Sequence, residues 1–278
     1  MSKKNQIIQN STKIDNNKLL NKLVSILKDK TQDEITKMNA VWALSEIEDD
    51  RVIDILIDVL KDKDEDDDVK TNVVGVFQKI KNDRIIDILI EMLKDKDNDK
   101  NVKMYVIEAL GEIGGNKVIE PLIQSLKDND FLIRRKAIES LSNLHEDIVI
   151  ESLIEALKDE DIIIRADAIW ALSEIDDERT IEPLIELLND KYVQNIVIKV
   201  LGFIGDDRII EPLIKILENK EGNIISRCNA VVALSNIEDD RIKETLIKIL
   251  KDKNDNILVR RKVFEILSES DGYSIEDI

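Results

Sequence analysis

The chain has 278 residues of which 43% are hydrophobic, enough apolar material to bury a sizeable core and to exclude a disordered tail. Aromatics make up 3%, and there are 8 glycines and 3 prolines, a profile that speaks for helices against a turn-rich sandwich or barrel. Lys plus Arg number 41 against 59 Asp plus Glu, a net charge of −18 whose field repels nucleic-acid phosphates and anionic lipid, so neither nucleic acid nor membrane is expected as a partner. One cysteine, Cys228, and one histidine, His145, exclude an internal disulfide, a thiolate metal cage and a multi-histidine site. No apolar run reaches the ~18 residues that span a bilayer, and the opening residues lack the apolar core of a signal peptide. A monomeric cytoplasmic protein is expected.

Residues 1–17, rich in Lys, Asn, Gln and Ser, carry no periodic pattern and are read as a flexible segment. From residue 18 a repeat sets in. Leu27, Leu60, Leu93, Leu126, Leu157, Leu188, Leu217 and Leu250 recur at intervals of 29 to 33, and a second series runs Leu44, Phe77, Leu110, Leu141, Leu172, Leu201, Leu234 and Leu267. A period of this size, with apolar positions three and four apart around each anchor, predicts eight two-helix units between 18 and 269. The fold class is thus all-α, a solenoid superhelix. The step from each second-helix anchor to the next first-helix anchor is always 16, as from Leu44 to Leu60, so length variation is confined to the turn inside a repeat. Residues 270–278 leave the pattern and are read as a flexible tail.

Along the chain, several stretches carry candidate chemistry. In the second repeat, Asp62 to Asp68 is an acidic run read as a hydrophilic turn, with weak cation or basic-partner contact as the alternative. The positions four and one before each second-helix anchor are usually small or β-branched, and in this repeat Val73, Val76 and Phe77 replace the Ala, Ala and Leu pattern of such repeats. In the third, Asp95 to Asn101 imitates the start of a calcium loop but has Lys100 and Val106 where a Gly and a Glu belong. An acid recurs at the start of the first helices (Asp54, Asp87, Glu120, Glu151, Glu182, Glu211, Glu244), where a carboxylate favours the positive end of the helix dipole. Pro121, Pro183 and Pro212 follow three of these acids and suit a first turn. His145 ends the fourth repeat as a solvated terminus, and Cys228 beside Arg227 offers a weak hint of a lowered thiol pKa with a passive cysteine as the main reading.

The segments DDERTIEPLIELLND (176–190), IGDDRIIEPLIKILE (204–218) and IIIRADAIWALSEI (162–175) resemble HEAT-like repeats of the phycobilisome-lyase type. The resemblance covers roughly residues 18 to 269. It implies a ladder in which a basic residue opening each second helix (Lys37, Lys70, Lys103, Arg134, Arg165, Arg227 and Arg260) bonds acids or carbonyls of adjoining turns, with Gln194 departing from the pattern. A HEAT-like di-iron hydroxylase uses several His-Glu pairs, and the single His145-Glu146 pair supplies too few ligands for such a site. The resemblance also implies that the second helices line a concave surface. Its outward positions carry Met38, Trp42 and Glu46 in the first repeat, Tyr105, Glu108 and Glu112 in the third, Glu139 in the fourth, Asp167, Trp170 and Glu174 in the fifth and Phe203 in the sixth. Both tryptophans stand two residues before their anchors. They anchor a partner, or they fold back to fill gaps between helices.

No nucleophile, acid-base pair or metal cluster converges in this pattern, so no enzyme and no cofactor is expected. The expected function is a noncatalytic scaffold that takes a protein segment with basic and apolar side chains on the second-helix surface, carboxylates speeding encounter and aromatics supplying affinity. The alternative, on resemblance alone, is a tetrapyrrole (bilin) lyase subunit or a regulator of phycobilisome-like proteins.

Overall fold

The computed structural model describes residues 17–80, 82–144, 146–175 and 177–271. Among them there are helices and turns and no strand. Residues 17–28 form α1, followed by α2 (Glu34–Ser45), α3 (Arg51–Lys61), α4 (Asp67–Phe77), α5 (Asp83–Lys94), α6 (Lys100–Ile113), α7 (Asn116–Ser125) and α8 (Phe131–Ser142). Then come α9 (Asp147–Ala156), α10 (Ile162–Ser173), α11 (Ile181–Glu186), α12 (Gln194–Ile204), α13 (Ile210–Glu218), α14 (Ile224–Leu234), α15 (Asp240–Lys251) and α16 (Ile257–Asp271). The chain divides into two compact units, Met1–Leu144 and His145–Ile278. The expected flexible segments, 1–17 and 270–278, fall almost wholly outside the described residues, as does His145.

The abundance of Asp and Asn has a local cause. Asp33, Asp66, Asn82, Asp99, Asp130 and Asp161 each accept a hydrogen bond from a backbone N–H two or three residues on, and so satisfy a donor that the helix start leaves without an intrahelical acceptor. Asp177 and Asp206 do the same for short 3-10 turns that lead into α11 and α13, and Asn223 and Asp239 cap α14 and α15. Among the recurring acids of the first helices, Asp54, Glu182 and Glu211 do stand in the first turns of α3, α11 and α13. Asp87 and Glu120 stand beyond the first turns of α5 and α7, and Pro121 is likewise the sixth residue of α7, because these helices begin a turn earlier than the sequence pattern implied. Pro183 and Pro212 do sit in first turns, each the third residue of its helix.

Three of the recurring acids, Asp54, Asp87 and Glu211, join other acids of the first helices in ion pairs with the next repeat. In the first unit Arg84 of α5 pairs with Asp54 of α3, and Lys117 of α7 reaches Asp83 and Asp87 of α5 at 3.3 and 3.8 Å. In the second, Arg179 pairs with Asp147 of α9 at 2.6 Å and Arg241 of α15 with Glu211 of α13 at 2.8 Å. Arg179 and Arg241 also bind their own caps: the Arg179 guanidinium pulls the Asp177 carboxyl down to about 2, and Arg241 lowers Asp239 in the same way.

Within each unit, first helices stack on first helices and second on second. Contacts join α2 to α4, α4 to α6 and α6 to α8 in one, and α10 to α12, α12 to α14 and α14 to α16 in the other. Small residues set the spacing. A Cβ on Gly202 of α12 would lie 2.5 Å from the Ala233 Cβ of α14, and one on Gly111 of α6 would lie 2.7 Å from the Ser140 Cβ of α8. The second-helix anchors Leu44, Phe77, Leu110, Leu141, Leu172, Leu201, Leu234 and Leu267 are all buried, whereas the first-helix anchors Leu93 and Leu126 are only half-buried. Val73, Val76 and Phe77 are buried as well, so α4 packs with its larger residues.

Candidate binding surface

At three second helices, those of Lys37, Arg165 and Arg227, the basic residue near the start reaches an acid of the next repeat. Arg227 lies buried, donating from Nε to the Leu217 carbonyl at 2.8 Å and from its two terminal nitrogens to both oxygens of Asp255 at 2.7 and 2.8 Å. Lys37 makes a buried pair with Glu65 at 2.7 Å, so the acidic run 62–68 is not only a hydrophilic turn: one of its carboxylates is structural. Arg134 and Arg165 donate to the Asp128 and Asp159 carbonyls in the turns before their helices, Arg260 donates to the Leu250 carbonyl near the end of α15, and Arg165 also stands 3.1 Å from Asp190. Gln194 is no break in the ladder, because its Nε2 donates to the Leu188 carbonyl at 2.7 Å in the same manner. The polar ends of the second helices are thereby committed to stacking, and the outward side chains farther along are left for other work.

In the first unit those side chains meet. Met38 and Trp42 of α2, Tyr105, Glu108 and Glu112 of α6, and Asp68, Thr71, Asn72 and Gly75 of α4 with Gln78 at its end line one groove of about 540 Å³. A second hollow of about 480 Å³ shares Asp68, Thr71, Tyr105 and Glu108 and reaches Lys136 of α8. Five of the eleven residues expected from sequence thus fall on one surface. Trp42 and Tyr105 are 43% and 45% exposed, which puts neither ring in the core. One face of Trp42 is covered by the Lys79 ammonium, 5.1 Å from the ring centroid. Glu46 is exposed at the C-terminal end of α2, and exposed Glu139 of α8 accepts from Lys136, which also stands 3.4 Å from Glu108. Burial acts to lower the Lys136 pKa, but the two carboxylates outweigh it and raise it, so the ammonium stays charged.

In the second unit, Trp170 of α10 is 49% exposed, with Asp167 half-buried on the same helix and Glu174 exposed at its end. Phe203 of α12 is 81% exposed. This unit also bears apolar residues that the sequence reading passed over: Ile162 and Ile163, Tyr192, Ile224 and Ile225, Ile257 and Leu258 are exposed at or just before the starts of its second helices. Their signal is a fixed register, nine and ten residues before the anchors. Gly75, equally unnoticed, occupies the register of the two tryptophans.

Neither of the other chemical candidates gains support. Burial raises the Cys228 thiol pKa and outweighs the pull of Lys262 and Arg227, which reverses the hint of activation drawn from its neighbour. The loop 95–101 spends its oxygens locally: Asp95 accepts from the Asp97 N–H, Asp99 caps α6, and Asn98 donates to the Met92 carbonyl. Among the described residues no three His, Cys, Asp or Glu side chains stand together as a metal site, and no helix is long and apolar enough to cross a membrane.

A sequence model described as HEAT repeats matches residues 4–71, 62–142, 119–196 and 150–226. The chain belongs to the HEAT-repeat family. Residues 226–252 match a second model, the PBS lyase HEAT-like repeat, as the 204–218 and 176–190 segments led one to expect. A comparison with curated protein sequences finds no match. Solved structures show the same HEAT-type fold: Kap121p has a TM-score of 0.62 at 16% identity over 92% of this chain, which spans about a third (34%) of Kap121p. The E. coli protein YIBA has a TM-score of 0.55 at 19% identity, covering 97% of this chain and 98% of its own. The complex of CpcE and CpcF of phycocyanin lyase from Nostoc sp. PCC7120 follows at a TM-score of 0.45 and 19% identity, covering 78% of this chain and 93% of the other, too distant to carry an argument.

Proposed function

We propose that this HEAT-repeat chain is a noncatalytic scaffold that takes a protein segment on the outward face of its second helices. The observation that carries the reading is the first unit's groove, where Met38, Trp42 and Tyr105 stand with Asp68, Glu108 and Glu112 around one open space. Half-exposed aromatics beside carboxylates suit a segment with basic and apolar side chains: burying rings and a thioether supplies affinity, and the charges steer encounter. Kap121p, which shares the fold, is described bound to the extreme C-terminus of the protein phosphatase Cdc14p, an occupant of the same general kind. Trp170 and Phe203 make the second unit a further contact surface on this reading. A cytoplasmic monomer without nucleic-acid or membrane partners accords with the charge of −18.

The test is a crosslinking pull-down from the native host with the wild type and the W42A/W170A variant. Loss of defined crosslinked partners from the variant, with helical content unchanged by circular dichroism, is the expected result; an identical set of partners would refute the reading. The lyase alternative draws on the match over residues 226–252. A visible absorption band appearing when the protein is mixed with a bilin and its acceptor protein would favour it over the scaffold.

A further inference from the structure

We propose that the first unit's groove is a seat for an arginine side chain carried by an extended protein segment, and that Lys79 occupies the Trp42 wall of this seat until the segment arrives. The proposal rests on the scaffold reading and specifies its occupant.

Charge is the first argument. The groove lining contributes three carboxylates, Asp68, Glu108 and Glu112, and no cation. Asp68 and Glu112 form no ion pair among the described residues, and Glu108 has only Lys136 at 3.4 Å. Like charges gathered in one concavity raise the local concentration of cations and repel anionic groups. The second argument is the aromatic walls. Lys79 placed 5.1 Å from the Trp42 centroid shows that this ring face accepts a cation, and it does so from an exposed residue just past α4 whose ammonium forms no ion pair among the described residues. Tyr105 offers a second exposed ring on the opposite helix of the groove.

The third argument is the floor. A Cβ on Gly75 would have nothing within 4 Å, so the α4 surface between the α2 and α6 walls is open down to the backbone. Beside it, Asn72 lines the same groove, and among the described residues its buried Oδ1 has no hydrogen-bond partner. Among biological cations, guanidinium matches this set best: it is planar, stacks on aromatic faces, pairs with carboxylates through two parallel N–H groups and brings five donors, whereas an ammonium is a compact and strongly hydrated charge. Met38 and the sides of the two rings leave apolar surface around the cation, which suits the flanking residues of a peptide and gives a free polyamine nothing to cover.

The experiment uses the full chain with Trp170→Phe, which leaves Trp42 as its only tryptophan. Three capped peptides are titrated against its fluorescence, each with one central residue flanked by leucines: arginine, lysine or the uncharged isostere citrulline. Spermidine serves as the small-cation control. The arginine peptide should alter Trp42 emission saturably and bind at least about tenfold more tightly than the citrulline peptide, with lysine between them. E108Q/E112Q should remove about tenfold of the arginine affinity and leave citrulline binding unchanged. G75L, which fills the open floor, should abolish binding, and K79A should strengthen it severalfold. Equal binding of arginine and citrulline peptides, or spermidine binding as tightly as the arginine peptide, would overturn the seat. Unchanged affinity in K79A would overturn the part given to Lys79. The two levels separate cleanly: partners lost from the W42A/W170A pull-down without any preference for arginine leave the scaffold standing and remove the seat, and arginine selectivity with an unchanged pull-down does the reverse.

Discussion

Replacing Arg227 by Met tests what holds one repeat to the next. The Arg227 side chain is 1% exposed and that of Asp255 2%, so the substitution leaves a buried carboxylate without its ion-pair partner, and it strips the Leu217 carbonyl of its 2.8 Å donor. Removing one partner of a buried pair costs roughly 3 to 5 kcal/mol. Because a stack of repeats is held by neighbour-to-neighbour interfaces, the loss should appear as early unfolding of α14 to α16. Urea denaturation followed by circular dichroism measures the cost, and hydrogen exchange locates it. R227M/D255N, which removes the charge as well, should recover most of it. Arg260 provides the control: it bonds the Leu250 carbonyl at 3.0 Å and has no ion pair among the described residues, so R260M should cost only about 1 kcal/mol. The pH dependence has a definite sign. Burial acts to raise the Asp255 carboxyl, but the hydrogen bonds from Arg227 and the Asn256 N–H prevail and hold it below its ordinary value. A depressed carboxylate stabilises the fold above its unfolded pKa, ~3.9, and that contribution fades as pH falls through the lower folded value. In R227M Asp255 keeps the Asn256 N–H but loses the guanidinium and protonates more readily, so the gap between wild type and variant should be full near pH 7 and narrow as pH falls toward and below about 4. A cost under about 1 kcal/mol, or a gap that widens in acid, would refute the reasoning.

Close approach of second helices predicts that G202A, whose Cβ would meet the Ala233 Cβ at 2.5 Å, loses about 1 to 3 kcal/mol in urea titrations, whereas G75A, which meets nothing within 4 Å, is neutral or gains up to about 1 kcal/mol from better helix propensity. Cys228, its thiol pKa raised by burial, should react with a disulfide reagent near neutral pH severalfold more slowly than in the urea-unfolded chain, as the absorbance of the released thiolate will show. W42A and W170A should each change stability by less than about 1 kcal/mol, since both rings are nearly half exposed; thermal melts showing losses of several kcal/mol would place the rings in the core instead.

The eight repeats, their helix pairs and the buried second-helix anchors were legible in the sequence because helical burial follows a short period that neighbouring residues state directly. The outward residues Met38, Trp42, Tyr105, Glu108 and Glu112 were legible too, as offsets from those anchors. The start of every first helix was not: Asp54 and Glu211 do stand in first turns but Asp87 and Glu120 do not, and residue spacing does not say that Asp54 and Glu211 also receive an arginine from the next repeat. The acidic run 62–68 shows the same ambiguity. Composition marks it as solvated, yet Glu65 is buried against Lys37, 28 residues away in sequence.

Local pattern alone therefore determined that this chain is helical, that its helices recur in pairs, and which side chains point away from their core. Tertiary structure alone decided that Trp42, Tyr105 and their carboxylates surround one groove, that Gly75 leaves its floor open, and that Lys79 lies on the tryptophan. The physical reason is that periodicity reports the face of a single helix, whereas a groove depends on how closely three helices stack and on which rotamer each side chain adopts once its neighbours are in place.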